Sequence, residues 1–423
     1  MTRHVALGLE PTPVQSRLLD ELAARESAMA VRVTAWARIN SGSHHRQGLD
    51  RMRSALMEAF AELGGEMEEL ALQPGEMVEP HGTLRSIDYA PAIRIRRRPE
   101  APVRVALTGH YDTVFPAESM FQDVGAGAPG TLIGPGVADM KGGLVVMLEA
   151  LMCLERSPDA KRLGWEVLIS PDEELGSPGS AHALARLGRW AHVGMTYEPA
   201  APDGSLVGAR KGSGSFVLVA RGKAAHAGRE HGVGRNAVVA AARFAAGLAE
   251  LDGTRDGVTF NVAKIDGGGP VNVVPDLGIC RFGIRFPTDA DASWAEAEVA
   301  RLVETTCTRH GIAAEIKGGV TRPPKPMAQA NRQLFEFARA VGKLLGLDLA
   351  WHDTGGVCEG NNLWAAGCPN VDTLGVRGGA IHSSEEFVVL SSLVERTRLS
   401  ALMLMKMASG AFDASRLRGA TPC

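Results

Sequence analysis

An α/β fold, a mostly parallel sheet flanked by helices with an α+β sandwich inserted into it, is what this sequence predicts. Three observations predict it. From Val103 onward short apolar strands alternate with helices, the texture of a sheet covered on both faces. Between about Val207 and Lys325 the pattern changes to strands in which apolar and polar residues alternate, the mark of a sheet with one buried face. Residues suited to one site occur before and after that change, so the chain must return to the first sheet. At 423 residues there is chain for two cores. The expected units are one domain at 1–206 and 326–423 and a second, inserted domain at 207–325.

The elements follow in order. Apolar residues at helical spacing from Pro13 to Leu63, broken near Asn40 to Ser43, predict two helices ahead of the sheet. The basic run Arg94 to Arg98 reads as a solvated strand edge. Val103 to Gly109, Glu166 to Ser170 and Val193 to Tyr197 read as strands, with helices over Lys141 to Glu155 and His182 to Leu187. In the insert, Ser215 to Arg221, Val258 to Ile265 and Leu277 to Phe286 are strands, Asn236 to Leu251 and Ser293 to His310 are helices, and a short strand lies near Ala313 to Lys317. That is a β-α-β-β-α order of roughly a hundred residues.

Charge narrows the partners. With 45 Lys and Arg against 48 Asp and Glu, a net −3 gives no footprint for nucleic acid or an anionic membrane, which leaves a small molecule or peptide. Met1 to Leu19 lacks the basic start and apolar run of a signal peptide, and no apolar stretch is long enough to span a bilayer. We therefore expect a soluble, cytoplasmic protein. The six cysteines contain no C-x-x-C pair and read as free thiols in a reducing compartment.

The chemistry sits at strand ends, where open α/β sheets collect their sites. T-G-H-Y-D-T-V ends a strand with His110 and, two residues on, Asp112; a metal-bound imidazole usually donates its second N–H to such a carboxylate. G-P-G-V-A-D-M-K-G-G carries Asp139 in a glycine-rich loop that opens a helix, with a spacing that fits neither phosphate-binding glycine motif. S-P-D-E-E-L-G-S offers Glu173 and Glu174 at the next strand end. One can bind metal while the other takes a proton from water and passes it to the leaving amine. We assign Glu173 as base and Glu174 as ligand, although the order of roles does not follow from chemistry alone. Y-E-P supplies Glu198, and G-A-I-H-S-S-E-E-F supplies His382 far downstream. His110, Asp139, Glu174, Glu198 and His382 are the O and N donors that suit two Zn²⁺ ions about 3.5 to 4 Å apart, and Co²⁺ or Mn²⁺ can occupy the same ligands.

These motifs, in their order and separations, resemble the zinc-dependent family of glutamate carboxypeptidase, acetylornithine deacetylase, succinyl-diaminopimelate desuccinylase and aminoacylase, over about Leu19 to Leu404. The resemblance implies that Asp139 bridges the two metals, with His110 and Glu198 completing one site and Glu174 and His382 the other, and that Glu173 is the base. A glutamate at the Glu198 position goes, in that family, with carboxypeptidases and aminoacylases more than aminopeptidases. The insert corresponds to the family's lid and dimerisation domain. Within it, G-K-A-A-H-A-G matches the motif whose histidine, here His226, crosses the dimer interface to polarise the scissile carbonyl. Asn272 in V-N-V-V-P and Arg285 in G-I-R-F match positions that hold the substrate's carboxylate.

This chain departs from the family in two places. Gly283 stands where relatives often have an acid, and the late glycine motif reads G-G-V-C-E-G-N-N rather than ending in Ser or Thr followed by Asp. Gly355 and Gly356 are expected to bring backbone amides to the substrate, and Cys358, Glu359 and Asn361 to line a pocket of altered selectivity.

The reading is a homodimeric two-zinc hydrolase that cleaves an amide bond next to a free carboxylate. Carboxypeptidase action on peptidyl or N-acyl amino acids leads, and deacylation of a small N-acyl amino acid is second. A catalytically silent binding relative is the alternative of another class, against which the intact Glu173 and complete ligand set argue.

Overall fold

Alternation of neighbouring side chains between two cores explains the central sheet. Val105, Leu107, Val167 and Ile169 pack into the main core, while Ala106 and Leu168, one residue out of phase, pack into a second core with Leu184, Leu187 and Leu363. Helices cover both faces, so the strands Val103–His110 and Leu163–Ser170 are almost wholly buried. The computed structural model describes residues 8–420. Residues 1–7 of the segment judged for a signal peptide, and Cys423, lie outside the described residues. The other five cysteines are free and buried.

The sheet has six strands in the order Glu66–Leu70, Ala92–Arg97, Leu163–Ser170, Val103–His110, Val193–Thr196 and Asn370–Val371. The last four run parallel and the first two add antiparallel. Helices Gly143–Glu155 and Ser391–Ser409 contribute to the main core. Ala181–Trp190 and Glu359–Ala365 contribute to the opposite one.

Two local expectations need correction, and one element lies outside them. The N-terminal region forms three helices, Pro13–Ala23, Glu26–Ala37 and Arg46–Ala61; a capping box of Thr12 and Gln15 starts the first, and the extra break falls at Ala24 and Arg25. The basic run is interior to the sheet. Arg94 bridges Glu68 at 2.6 Å and Glu166 at 2.8 Å, Arg96 pairs with Glu66 at 2.8 Å, and Arg97 and Arg98 converge on Glu155. Acidic residues on neighbouring elements thus let arginines occupy a strand that is paired on both sides. A hairpin, Gly75–Val78 with Leu84–Ile87, was not expected; it reaches the insert, where Arg281 donates to the Val78 carbonyl at 2.7 Å and Val78 packs on Val219 and Ile279.

The insert has a core of its own, from Phe216 to Ile312. Its antiparallel sheet runs Thr259–Gly267, Leu277–Phe286, Gly212–Arg221, Ala313–Arg322, and helices Ala237–Leu251 and Asp289–Thr306 pack into that core. These elements occupy 212–322, because the strand Leu206–Arg210 pairs with Trp351–Thr354 instead. The two crossings run side by side: Arg210 and Lys325 exchange backbone hydrogen bonds of 2.8 and 3.0 Å, and both side chains reach the buried Asp372, at 2.5 and 3.1 Å. Among the described residues no helix is long and apolar enough to cross a membrane.

Candidate metal centre

His110 closes its strand fully buried. Its Nδ1 lies 3.0 Å from the Asp112 carbonyl and 3.3 Å from the Asp112 carboxylate. Donation to either leaves Nε2 with a lone pair, and Nε2 faces Asp139 Oδ1 at 3.1 Å and Glu198 Oε2 at 3.8 Å. The other Asp139 oxygen, Oδ2, faces His382 Nε2 at 3.3 Å, and His382 Nε2 also lies 3.3 Å from Glu174 Oε2. One carboxylate thus sits between two imidazoles, each with a second acid beside it.

An imidazole lone pair surrounded by carboxylates calls for a cation. Glu174 Oε1 is buried without a hydrogen-bond partner, and donor atoms of His110, Asp139 and Glu174, and of His110, Glu173 and Glu198, lie within 4.8 Å of one another. The donor set fits a metal. Without one, protons must serve. Burial, against the pull of His382, pushes the Glu174 carboxyl up to about 8, and burial likewise pushes Glu198 up to about 7. Hydrogen bonds to Asp139 and Glu174 raise His382 to about 10. Burial alone would depress the His110 imidazolium, but Asp112, Asp139 and Glu198 outweigh it and raise it well above its ordinary value.

Local backbone brings these groups together. The Asp112 carboxylate accepts the backbone N–H groups of Glu173 and Glu174, each at 3.2 Å, and the Ser43 hydroxyl at 2.8 Å. It therefore ties the His110 strand end to the Glu173–Glu174 turn. In the Asp139 loop, Gly136 takes a left-handed φ of +73°. Gly143 lets the following helix approach the Glu198 segment so closely that a Cβ would stand 2.1 Å from the Tyr197 carbonyl.

The centre opens into a cavity of about 470 Å³ between the two units. Arg210, Arg285 and Arg322 all line it, but two are committed. Arg210 is paired with Asp372. Arg322, from the last strand of the insert, holds Glu173 Oε1 at 2.7 Å and donates to the Glu173 carbonyl and the Ser177 hydroxyl. Arg285 has no ion-pair partner among the described residues; burial, with the charge of Arg322 adding to it, lowers its pKa. An unpaired guanidinium on a cavity wall suits an anionic ligand.

Other expected residues stand elsewhere. His226 and Asn272 are exposed and do not line this cavity; they lie on a small ribbon of the insert, where His226 pairs with Val273 and the Asn272 carbonyl accepts the Ala227 N–H. Gly356 lines the cavity with its N–H 3.2 Å from the Thr354 hydroxyl, whereas Gly355 does not line it. Cys358, Glu359 and Asn361, expected to line a pocket, are buried and are not among the residues that line this cavity. Cys358 caps the helix Glu359–Ala365, and Glu359 meets the Ser170 hydroxyl. Asn361 donates to the carbonyls of Lys211 and Pro323, at 2.9 and 2.8 Å, bracing both crossings into the insert. Sequence reasoning missed Arg322, Arg210 and Asp372, which belong to no motif. It also passed over Glu386, although that residue is printed in the His382 motif.

The model of peptidase family M20/M25/M40 matches residues 106–406. The chain is 28% identical over 313 residues to carboxypeptidase G2 of Pseudomonas sp. (strain RS-16), covering 72% of this chain and 74% of that one. It is 26% identical over 329 residues to succinyl-diaminopimelate desuccinylase of Nitrosospira multiformis, covering 73% and 84%. Among solved structures, a tripeptidase from Staphylococcus aureus matches with a TM-score of 0.71 at 22% identity, over 91% of this chain and 99% of that one.

Proposed function

This chain belongs to peptidase family M20/M25/M40 and is a metal-dependent hydrolase, and from that premise we propose that it cleaves an amide bond adjacent to a free carboxylate, acting as a two-zinc carboxypeptidase on peptidyl or N-acyl amino acids. The observation that carries the reading is Asp139, whose two oxygens face His110 at 3.1 Å and His382 at 3.3 Å. Asp139 would be shared, with His110 and Glu198 on one side and Glu174 and His382 on the other. When bound, the metals supply Lewis acidity and lower the pKa of water.

The remaining work falls to the protein. Glu173, held by Arg322, takes the proton of the attacking water and delivers it to the leaving amine. Asp112 fixes the His110 ring and the turn that carries both glutamates. Arg285 clamps the free carboxylate beside the scissile bond, and Gly356 shapes the cavity wall.

The oxyanion donor is His226 of the partner subunit in a homodimer built through the insert. His226 Nδ1 accepts the N–H groups of Gly228 and Arg229 at 3.1 and 3.2 Å, so the neutral ring carries its proton on Nε2 and presents a donor outward. Asn272 travels with it, flanked by the exposed apolar Val271 and Val273, side chains that an interface would cover. The relative named a desuccinylase keeps deacylation of a small N-acyl amino acid as a second reading.

The test is hydrolysis of a panel of N-acyl amino acids and dipeptides by metal-stripped protein, with and without Zn²⁺, following released amine. We expect metal-dependent release that requires a free carboxylate next to the scissile amide. Equal turnover of amides lacking that carboxylate would refute the substrate class; no release from any substrate by protein holding two metals would favour a silent relative.

A further inference from the structure

Asp139 and His382 come from loops more than 240 residues apart in sequence, and one buried carboxylate joins those loops. Glu386 is fully buried. Its Oε1 accepts the backbone N–H groups of Ala138 and Asp139, both at 2.9 Å, and its Oε2 accepts that of Gly136 at 2.9 Å. Its carbonyl accepts the Gly134 N–H at 3.2 Å, and its own N–H reaches back to the Ser383 carbonyl at 3.3 Å. The strand that follows, Phe387–Val389, pairs with Thr131–Ile133 immediately before the Asp139 loop.

The arrangement has a physical reason. Asp139 and Met140 leave helical geometry, with φ and ψ of −111° and 92° at Asp139. Buried N–H groups in such a loop need acceptors from elsewhere. All three partners of the Glu386 side chain are donors. A carboxylate offers two accepting oxygens, whereas an amide of the same shape offers one and would turn its NH₂ toward an N–H. The His382 loop is closed on itself by the Ser383 hydroxyl, which donates to the Ala380 carbonyl at 2.7 Å, and by the pairing of Gly378 and Gly379 with Val388 and Phe387. The Glu386 side chain is what ties it to the backbone of the Asp139 loop. His110 and Glu198, by contrast, are anchored by sheet strands that end beside them.

We propose that Glu386 is a positioning residue, which sets the Asp139 carboxylate against His382 and so determines the metal affinity of the subsite formed by Asp139, Glu174 and His382. The inference rests on the dinuclear reading above. It predicts that the two subsites depend unequally on this side chain, because only one draws both loops together.

The experiment is titration of metal-stripped full-length protein with Co²⁺, followed by calorimetry and by the visible absorption of the bound ion. Wild type, Glu386→Gln, Glu386→Asp and the exposed neighbour Glu385→Gln are compared, with thermal melts of each stripped protein. We expect two equivalents in wild type and Glu385→Gln. In Glu386→Gln the first equivalent keeps its affinity and spectrum and the second weakens by about 10- to 100-fold. Glu386→Asp keeps both oxygens on a shorter arm and should weaken the second equivalent less, and it decides the matter if the Gln variant does not fold. Two equivalents with wild-type affinity in both Glu386 variants, or equal weakening of both equivalents, would overturn the inference. Fewer than two equivalents in wild type would overturn the dinuclear reading, and this inference with it.

Discussion

Glu173 and Glu174 are sequence neighbours with different surroundings. Glu174 turns to His382 and leaves one oxygen buried and unpaired, while Glu173 is gripped by Arg322. A group with an unsatisfied buried oxygen suits a ligand; one fixed in place at the cavity wall, where water and substrate meet it, suits a base. On this reading Glu173→Gln should lower kcat by about 10²- to 10⁴-fold, with metal content unchanged by elemental analysis. Wild-type turnover in that variant would remove Glu173 from the mechanism.

At the scale of elements, the two crossings into the insert meet at Asp372. Burial opposes its ionisation, but the charges of Arg210 and Lys325 outweigh burial and hold the carboxyl far below the usual carboxylate range. A carboxyl depressed in the folded state contributes stability that is present above its unfolded pKa and is lost as pH falls below it. Asp372→Asn leaves two buried cations without their partner and should cost about 3 to 5 kcal/mol at pH 7, read by chemical denaturation. The gap between variant and wild type should persist through neutral and mildly acidic pH and narrow only below about pH 4. A variant as stable as wild type at pH 7 would show that these charges are compensated elsewhere.

For the whole molecule, the cavity holds Glu173 and Arg285, while His226 and Asn272 project from a separate ribbon. If the site is completed in trans, two inactive variants must rescue each other. Glu173→Gln mixed with His226→Ala, after subunit exchange, should recover about a quarter of wild-type activity, since half the dimers are mixed and each has one intact site. No recovery from verified mixed dimers would place the oxyanion donor within a single chain.

Asp139 and His382 lie in loops and were legible only through their motifs. His110, Glu198 and the Glu173–Glu174 pair were legible because each follows an apolar strand whose length and neighbours are local properties. The same holds for the alternating strands of the insert, whose pattern records which face is buried. The Arg94 to Arg98 strand was misread because the glutamates that neutralise it, Glu68, Glu155 and Glu166, lie on other elements. Cys358, Glu359 and Asn361 were not legible as buried for a related reason: a motif's position near a site does not reveal which long-range partners cover it, and here backbone carbonyls of both crossings claim Asn361. The sequence by itself determined the fold class and which residues to expect as metal donors, while the choice of Glu173 over Glu174 as base rests on the family resemblance. Only the tertiary structure decided which arginine is left unpaired and which buried acids hold the loops. Those outcomes depend on distances between segments tens to hundreds of residues apart, which packing sets and local pattern does not encode.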